Sequence, residues 1–244
     1  MRKLFVVLTV GIFISMLGSS AHALTLTSVA GDWADWVGGE AVTLQTGTVG
    51  YGNTVENQVR WGIPFGGDEQ SGLGFTGILD EFMSPVSVDI DEVFEIGQLR
   101  HFNHPIVIGT NATSTNLILT LGITELSPDP FTFTFEIDET PNAEPCDPSG
   151  LTPCPDVITF PSSFPAETVV IGLTAYTLEL VGFSDTSGGF GDIVDEFISE
   201  EGGVNAAYLY GRITATVIPE PATLLLLGGG LLGLAGIGAR RKKK

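Results

Sequence analysis

Two histidines, two cysteines and 28 carboxylates supply the chemistry open to residues 24–217 of this 244-residue chain. His101 and Asn103 are two apart, so on an extended strand they share a face while His104 points away. An imidazole beside an amide could hold a small ligand or a metal. No carboxylate lies within five residues of His101, however, and the charge of Arg100 opposes a cation there. The pair is therefore assigned a structural role: bonding the backbone of the turn that Pro105 forces, since buried polar groups need partners. No metal ligand is assigned. A hydrolase would need more than His101 and His104. Neither a Gly-x-Ser-x-Gly elbow nor a His-Glu-x-x-His helix is present. A glycosidase pair cannot be singled out when any two of 28 acids satisfy the search. No catalytic residue is assigned, and the chain reads as a non-enzyme.

Other groups invite the same weighing. Asp89, Asp91 and Glu92, or Asp185, Asp192 and Asp195, offer oxygens for calcium, but neither stretch fits a twelve-residue EF-hand loop. A solvated acidic face is the plainer reading, so no cofactor is assigned and calcium is kept as the secondary option. Gly72-Leu-Gly-Phe-Thr-Gly77 satisfies a dinucleotide-binding pattern, yet no helix pattern follows it. Its glycines read as aids to tight strand packing. Trp33 and Trp36 could form a sugar-stacking platform; stapling the first strand to the core is the favoured role. Cys146 and Cys154 lie in a proline-rich loop and read as a disulfide in an oxidising compartment.

Strands must position these groups. Phe131, Phe133, Phe135 and Ile137 alternate with polar residues, as do Leu117, Leu119, Leu121 and Ile123. Val59, Trp61 and Ile63 repeat the pattern, and so do Leu209, Ile213, Ala215 and Val217. Period two marks half-buried strands. The apolar set switches from Val169, Ile171 and Leu173 to Tyr176, Leu178 and Leu180, which predicts a bulge or strand break near Ala175. Segments 91–98 and 192–199 are expected to form one helical turn at most. The fold class is all-β: one antiparallel β-sandwich or jelly-roll domain over residues 24–217. That body holds three arginines against 28 acids, a formal charge of −25. Such a surface repels nucleic acid, which is excluded as a partner.

The ends carry addresses. Residues 1–23 join Arg2 and Lys3 to an apolar stretch and close on Ala21-His22-Ala23, the pattern of a secretory signal cut by signal peptidase. Pro219-Glu220-Pro221 precedes an apolar run from Ala222 to Ala239, then Arg240, Arg241, Lys242, Lys243 and Lys244. As a helix of about 1.5 Å per residue the run is at the short end for a transmembrane span, and the five cations hold its end in the cytoplasm. The domain between the ends is then exported, anchored in the cytoplasmic membrane and facing the periplasm. Proline at 219 and 221 keeps that segment extended.

The tail resembles the PEP-CTERM sorting signal of exopolysaccharide-producing Gram-negative bacteria. The resemblance implies an exosortase as partner and a final place at the cell surface or in the extracellular polysaccharide of a biofilm. In the body, Asn57 to Gly62, Ser71 to Phe75, Phe94 to Ile106 and Phe197 to Glu201 resemble the THxN family, related to choice-of-anchor K extracellular domains. His101 and Asn103 match that family's Thr-His-x-Asn signature, with Arg100 in the place of Thr. The resemblance implies an exported β domain with no established activity. A carbohydrate-binding or adhesin module is the alternative. N-terminal sequencing of the exported protein should begin at Leu24; a start at Met1 would mean that the signal is retained as an anchor.

Overall fold

The computed structural model describes residues 23–49, 55–78, 85–124, 130–140, 154–161, 166–188, 191–218 and 228–230. Thirteen strands run through them: β1 (Ala23–Gly38), β2 (Thr43–Val49), β3 (Val55–Trp61), β4 (Ser71–Gly77), β5 (Val86–Asp89), β6 (Val93–Asn103) and β7 (Ala112–Ile123). They continue as β8 (Pro130–Asp138), β9 (Asp156–Thr159), β10 (Ala166–Ile171), β11 (Thr174–Ser184), β12 (Glu196–Ser199) and β13 (Gly203–Val217). Six pair in the order β12-β9-β8-β7-β1-β5 and seven in the order β10-β11-β13-β6-β4-β3-β2. Each of these pairings is antiparallel. The two sheets form an all-β sandwich.

Alternation builds the core. Phe131, Phe133, Phe135 and Ile137 are all buried, as are Leu117, Leu119, Leu121 and Ile123 on the neighbouring strand. Register sets Leu117 opposite Phe133 and Leu119 opposite Phe131, so the inner faces of β7 and β8 form one apolar surface. Val59, Trp61, Leu73, Phe75, Leu99 and Leu209 cover it from the seven-stranded sheet. The approach is close: a β-carbon at Gly31 of β1 would collide with the Phe75 ring.

Three patterns end sooner than alternation alone suggests. Ile63 is 42% exposed because Gly62 takes φ +87° and turns the chain out of β3. In the last strand Leu209 and Ile213 are buried, but Val217 is 70% exposed where β13 has run past β6 and pairs with β11 alone. The switch after Ile171 is a strand break: Gly172 and Leu173 form a two-residue turn, Gly172 at φ +62°, and Ile171 pairs with Thr174. A register shift falls later, between Leu180 and Gly182.

Segments 91–98 and 192–199, expected to hold one helical turn at most, hold none. Val93 onward is captured between β13 and β4, and Glu196–Ser199 pairs with β9, so their backbone groups bond across strands. Among the described residues no helix is long and apolar enough to cross a membrane. Residues 228–230 are helical. The rest of the apolar run, residues 1–22 of the 1–23 signal, Pro219 to Pro221 and Arg240 to Lys244 lie outside the described residues.

Phe135 is fully buried, its ring centroid 5.3 Å from Phe160, 6.1 Å from Trp33 and 6.2 Å from Phe183. Phe135→Ala should lower unfolding free energy by about 3–5 kcal/mol, measured by urea denaturation. A loss below about 1 kcal/mol would mean that this aromatic cluster is not the packed centre.

Candidate functional site

Strand β6 lies between β13 and β4 and presents Leu99, His101 and Asn103 on its inner face. His101 and Asn103 are both fully buried. His101 Nδ1 lies 2.8 Å from Ser199 Oγ, and Asn103 Nδ2 donates to the Ser199 carbonyl at 3.0 Å. Ser199 ends β12, an edge strand of the other sheet. The pair thus shares a face as expected, but it ties the two sheets together instead of bonding the Pro105 turn. That turn is held by Ser71 Oγ donating to the His104 carbonyl at 2.8 Å and by Phe65 N donating to the Pro105 carbonyl at 2.9 Å.

Two acids join this histidine from the six-stranded sheet's side. The His101 ring stacks on Trp61 at 6.3 Å between centroids, and Trp61 Nε1 donates to Glu139 Oε1 at 2.7 Å. Glu139 directly follows β8. Asp156, the first residue of β9, is fully buried, and its Oδ1 accepts from Thr140 N at 2.7 Å and Thr140 Oγ1 at 3.2 Å. One ligating atom each of His101, Glu139 and Asp156 lies within 4.8 Å of the others. His101 Nε2 and Asp156 Oδ2 are buried without a hydrogen-bond partner. Among the described residues this is the one group of three such side chains close enough to share an ion.

Burial sets the charges. It pushes the His101 imidazole down to about 3, with the charges of His104 and Arg60 adding to the effect. Asp156 is pushed up to about 8, chiefly by burial and further by Glu139 and Glu201, against the Thr140 bonds. Glu139 rises to about 7 by burial, with Glu201 adding and the Trp61 bond opposing. The imidazole is neutral and both acids are costly as anions. Glu139 and Thr140 also border a cleft of about 60 Å³ against the 106–111 loop, so solvent reaches the edge of the group.

A hydroxyl beside an imidazole also suggests nucleophilic chemistry. Ser199 is fully buried, however, and its Oγ accepts a second bond from Asn205 Nδ2 at 2.9 Å, which leaves a substrate carbonyl no line of approach.

Alternation sends Arg100 to the opposite face of β6. Its Nε and Nη2 donate to the two oxygens of fully buried Glu56 at 2.6 and 2.7 Å. Arg60 lies over the Phe102 ring, 3.4 Å from its centroid. Gly72 and Gly74 of β4 leave the trough for these side chains: a β-carbon at either would run into Arg60 or Glu56. Arg100 therefore spends its charge on Glu56, away from His101, while the Arg60 charge still acts on the imidazole. Neither Glu139 nor Asp156 is marked in the sequence among so many acids. The available signal is their position on either side of the proline-rich cysteine loop.

The remaining candidates separate. Trp33 is buried, its Nε1 donating to the Asn57 carbonyl at 2.9 Å, while Trp36 is 39% exposed. The two do not form a shared stacking platform. Asp89, Glu92, Asp185, Asp192 and Asp195 are exposed. Asp91 sits in a turn at φ +71°. Asp185 and Asp192 border a cavity of about 360 Å³. Cys154 is buried and is not a free thiol; Cys146 lies outside the described residues.

Residues 217–242 match the PEP-CTERM protein-sorting motif. The motif marks an exported protein sorted to the cell envelope or surface, with an exosortase as its processing partner. No curated protein matches the chain.

Arg100→Thr should lower stability by about 3–5 kcal/mol by leaving buried Glu56 without its ion-pair partner. Adding Glu56→Gln should recover much of that loss in urea unfolding. Equal stability of the single variant and the parent would contradict the pairing.

Proposed function

We propose that this chain is a non-enzymatic structural protein of the bacterial exterior, delivered by its tail and fixed in, or released into, extracellular polysaccharide. The observation that carries this reading is where the sorting motif begins. The match starts at Val217, the last residue of β13, and Ile218 N still donates to the Leu173 carbonyl at 2.7 Å. Processing within 219–221 would cut beside the sandwich and leave every described strand intact. In this reading signal peptidase removes residues 1–23, the run Ala222–Ala239 holds the protein in the cytoplasmic membrane with its body in the periplasm, and exosortase acts at Pro219-Glu220-Pro221. The likeness of the body to the THxN family supports an exported role without catalysis. A Cys146–Cys154 bridge closes the loop between β8 and β9, contributing roughly 2–3 kcal/mol through the lost freedom of the unfolded chain.

A second reading, a carbohydrate-binding or adhesin module, is favoured by one feature. Ser114, Glu136, Asp138, Val157, Thr159 and Glu196 line an open groove of about 600 Å³ on the six-stranded sheet. Hydroxyls and carboxylates there match the hydrogen-bonding needs of a glycan. Glycan-array binding by the mature protein, lost in Glu136→Ala, would establish this reading over the purely structural one.

Deleting Pro219, Glu220 and Pro221 should leave a full-length membrane-bound form, seen by intact mass in envelope and medium. Normal processing of that variant would refute the role given to the motif.

A further inference from the structure

We propose that His101 Nε2, Asp156 Oδ2 and a carboxylate oxygen of Glu139 form a binding site for one zinc ion that clamps the two sheets of the sandwich. The geometry is that of a prepared site. Each ligand is oriented through its other polar atom: His101 by Ser199, Asp156 by Thr140 and Glu139 by Trp61. Outer partners of this kind hold metal-binding side chains in place. In the tautomer whose Nδ1–H donates to Ser199 Oγ, Nε2 carries the lone pair that a metal needs. It is buried and unpartnered, as is Asp156 Oδ2. Buried polar atoms without partners cost free energy, and these two belong to side chains of opposite sheets whose ligating atoms lie within 4.8 Å of one another.

Charge gives an independent reason. The body's three arginines all lie in the seven-stranded sheet and face other partners: Arg100 holds Glu56, Arg212 holds Glu179, and Arg60 covers Phe102. Among the described residues no arginine or lysine is left to neutralise Glu139 and Asp156. A divalent ion does so, balancing two carboxylates beside a neutral imidazole. One nitrogen and two oxygens suit zinc, which takes His and Asp/Glu at about 2.0–2.2 Å. Calcium takes six to eight oxygens and avoids such a set. The cleft beside Glu139 and Thr140 lets solvent fill the fourth position. His101 comes from β6, Glu139 follows β8 and Asp156 opens β9, so the ion would join segments far apart in sequence and stabilise the fold by binding only its native form.

The test uses the full chain purified in detergent from the envelope, stripped with chelator, and titrated separately with zinc, manganese and calcium. Elemental analysis should return about one zinc per chain, and zinc should raise Tm in a concentration-dependent way while millimolar calcium leaves it unchanged. Cobalt substitution should give visible d–d bands, a readout that needs no variant. Asp156→Asn should weaken zinc binding by about 100-fold or more, whereas the surface variant Asp185→Asn should bind as the parent does. Failure to retain zinc, a Tm indifferent to zinc and chelator, or undiminished affinity in a folded Asp156→Asn protein would each overturn the assignment. None of these outcomes bears on processing of the tail, so the sorting role stands or falls separately.

Discussion

The inner face of β6 meeting the end of β12 is the contact on which the sandwich closes. Apolar alternation is sufficient in the middle of the molecule, where Phe133, Phe135, Leu117 and Leu119 fill the space between sheets. Near His101 the chain instead buries an imidazole, an amide, a serine and an aspartate, all fully. Such groups tolerate burial only as a connected network, and then they fix one arrangement more narrowly than apolar packing does. Asn103 and His101 both reach Ser199, and Asn205 reaches it from β13, so one short edge strand is held by three side chains of the opposing sheet.

The same strand runs two separate chemistries on its two faces. Inward, His101 and Asn103 join the sheets. Outward, Arg100 and Phe102 lie among Glu56, Gln58 and Arg60 over the glycines of β4. This division explains how Arg100 can stand beside a buried histidine in sequence while pairing on the other face of the strand. It also explains how a body of formal charge −25 keeps its few cations: the arginines are committed to carboxylates and to the Phe102 ring in the seven-stranded sheet. The six-stranded sheet keeps none, and buried Asp156 and half-buried Glu139 meet near His101, where the sheets are joined.

Period-two alternation makes 117–123 and 131–137 legible as strands, because the side-chain period of a strand is a purely local property. It also places His101 and Asn103 on one face. Reversals of backbone sign are less legible: Gly62 turns the chain out of β3 and exposes Ile63, although the alternation continues through that residue. Edge strands are less legible still. Glu196–Ser199 is four residues long and gains its identity from pairing with β9, which no local pattern encodes. The site shows the same divide. Its histidine is visible by rarity, while Glu139, Asp156 and Ser199 arrive from separate segments through tertiary pairing. An acid among 28 carries no mark of burial until its neighbours are known. The tail is legible in full because its chemistry is local: two prolines, a greasy run and five cations in order.

Anomalous diffraction at the zinc edge, from crystals of the protein grown with zinc, tests the joining point most directly. A single strong peak about 2 Å from both His101 Nε2 and Asp156 Oδ2 is the result this account requires. No peak there, with the imidazole Nε2–H instead donating to the Asp156 carboxylate, would contradict it.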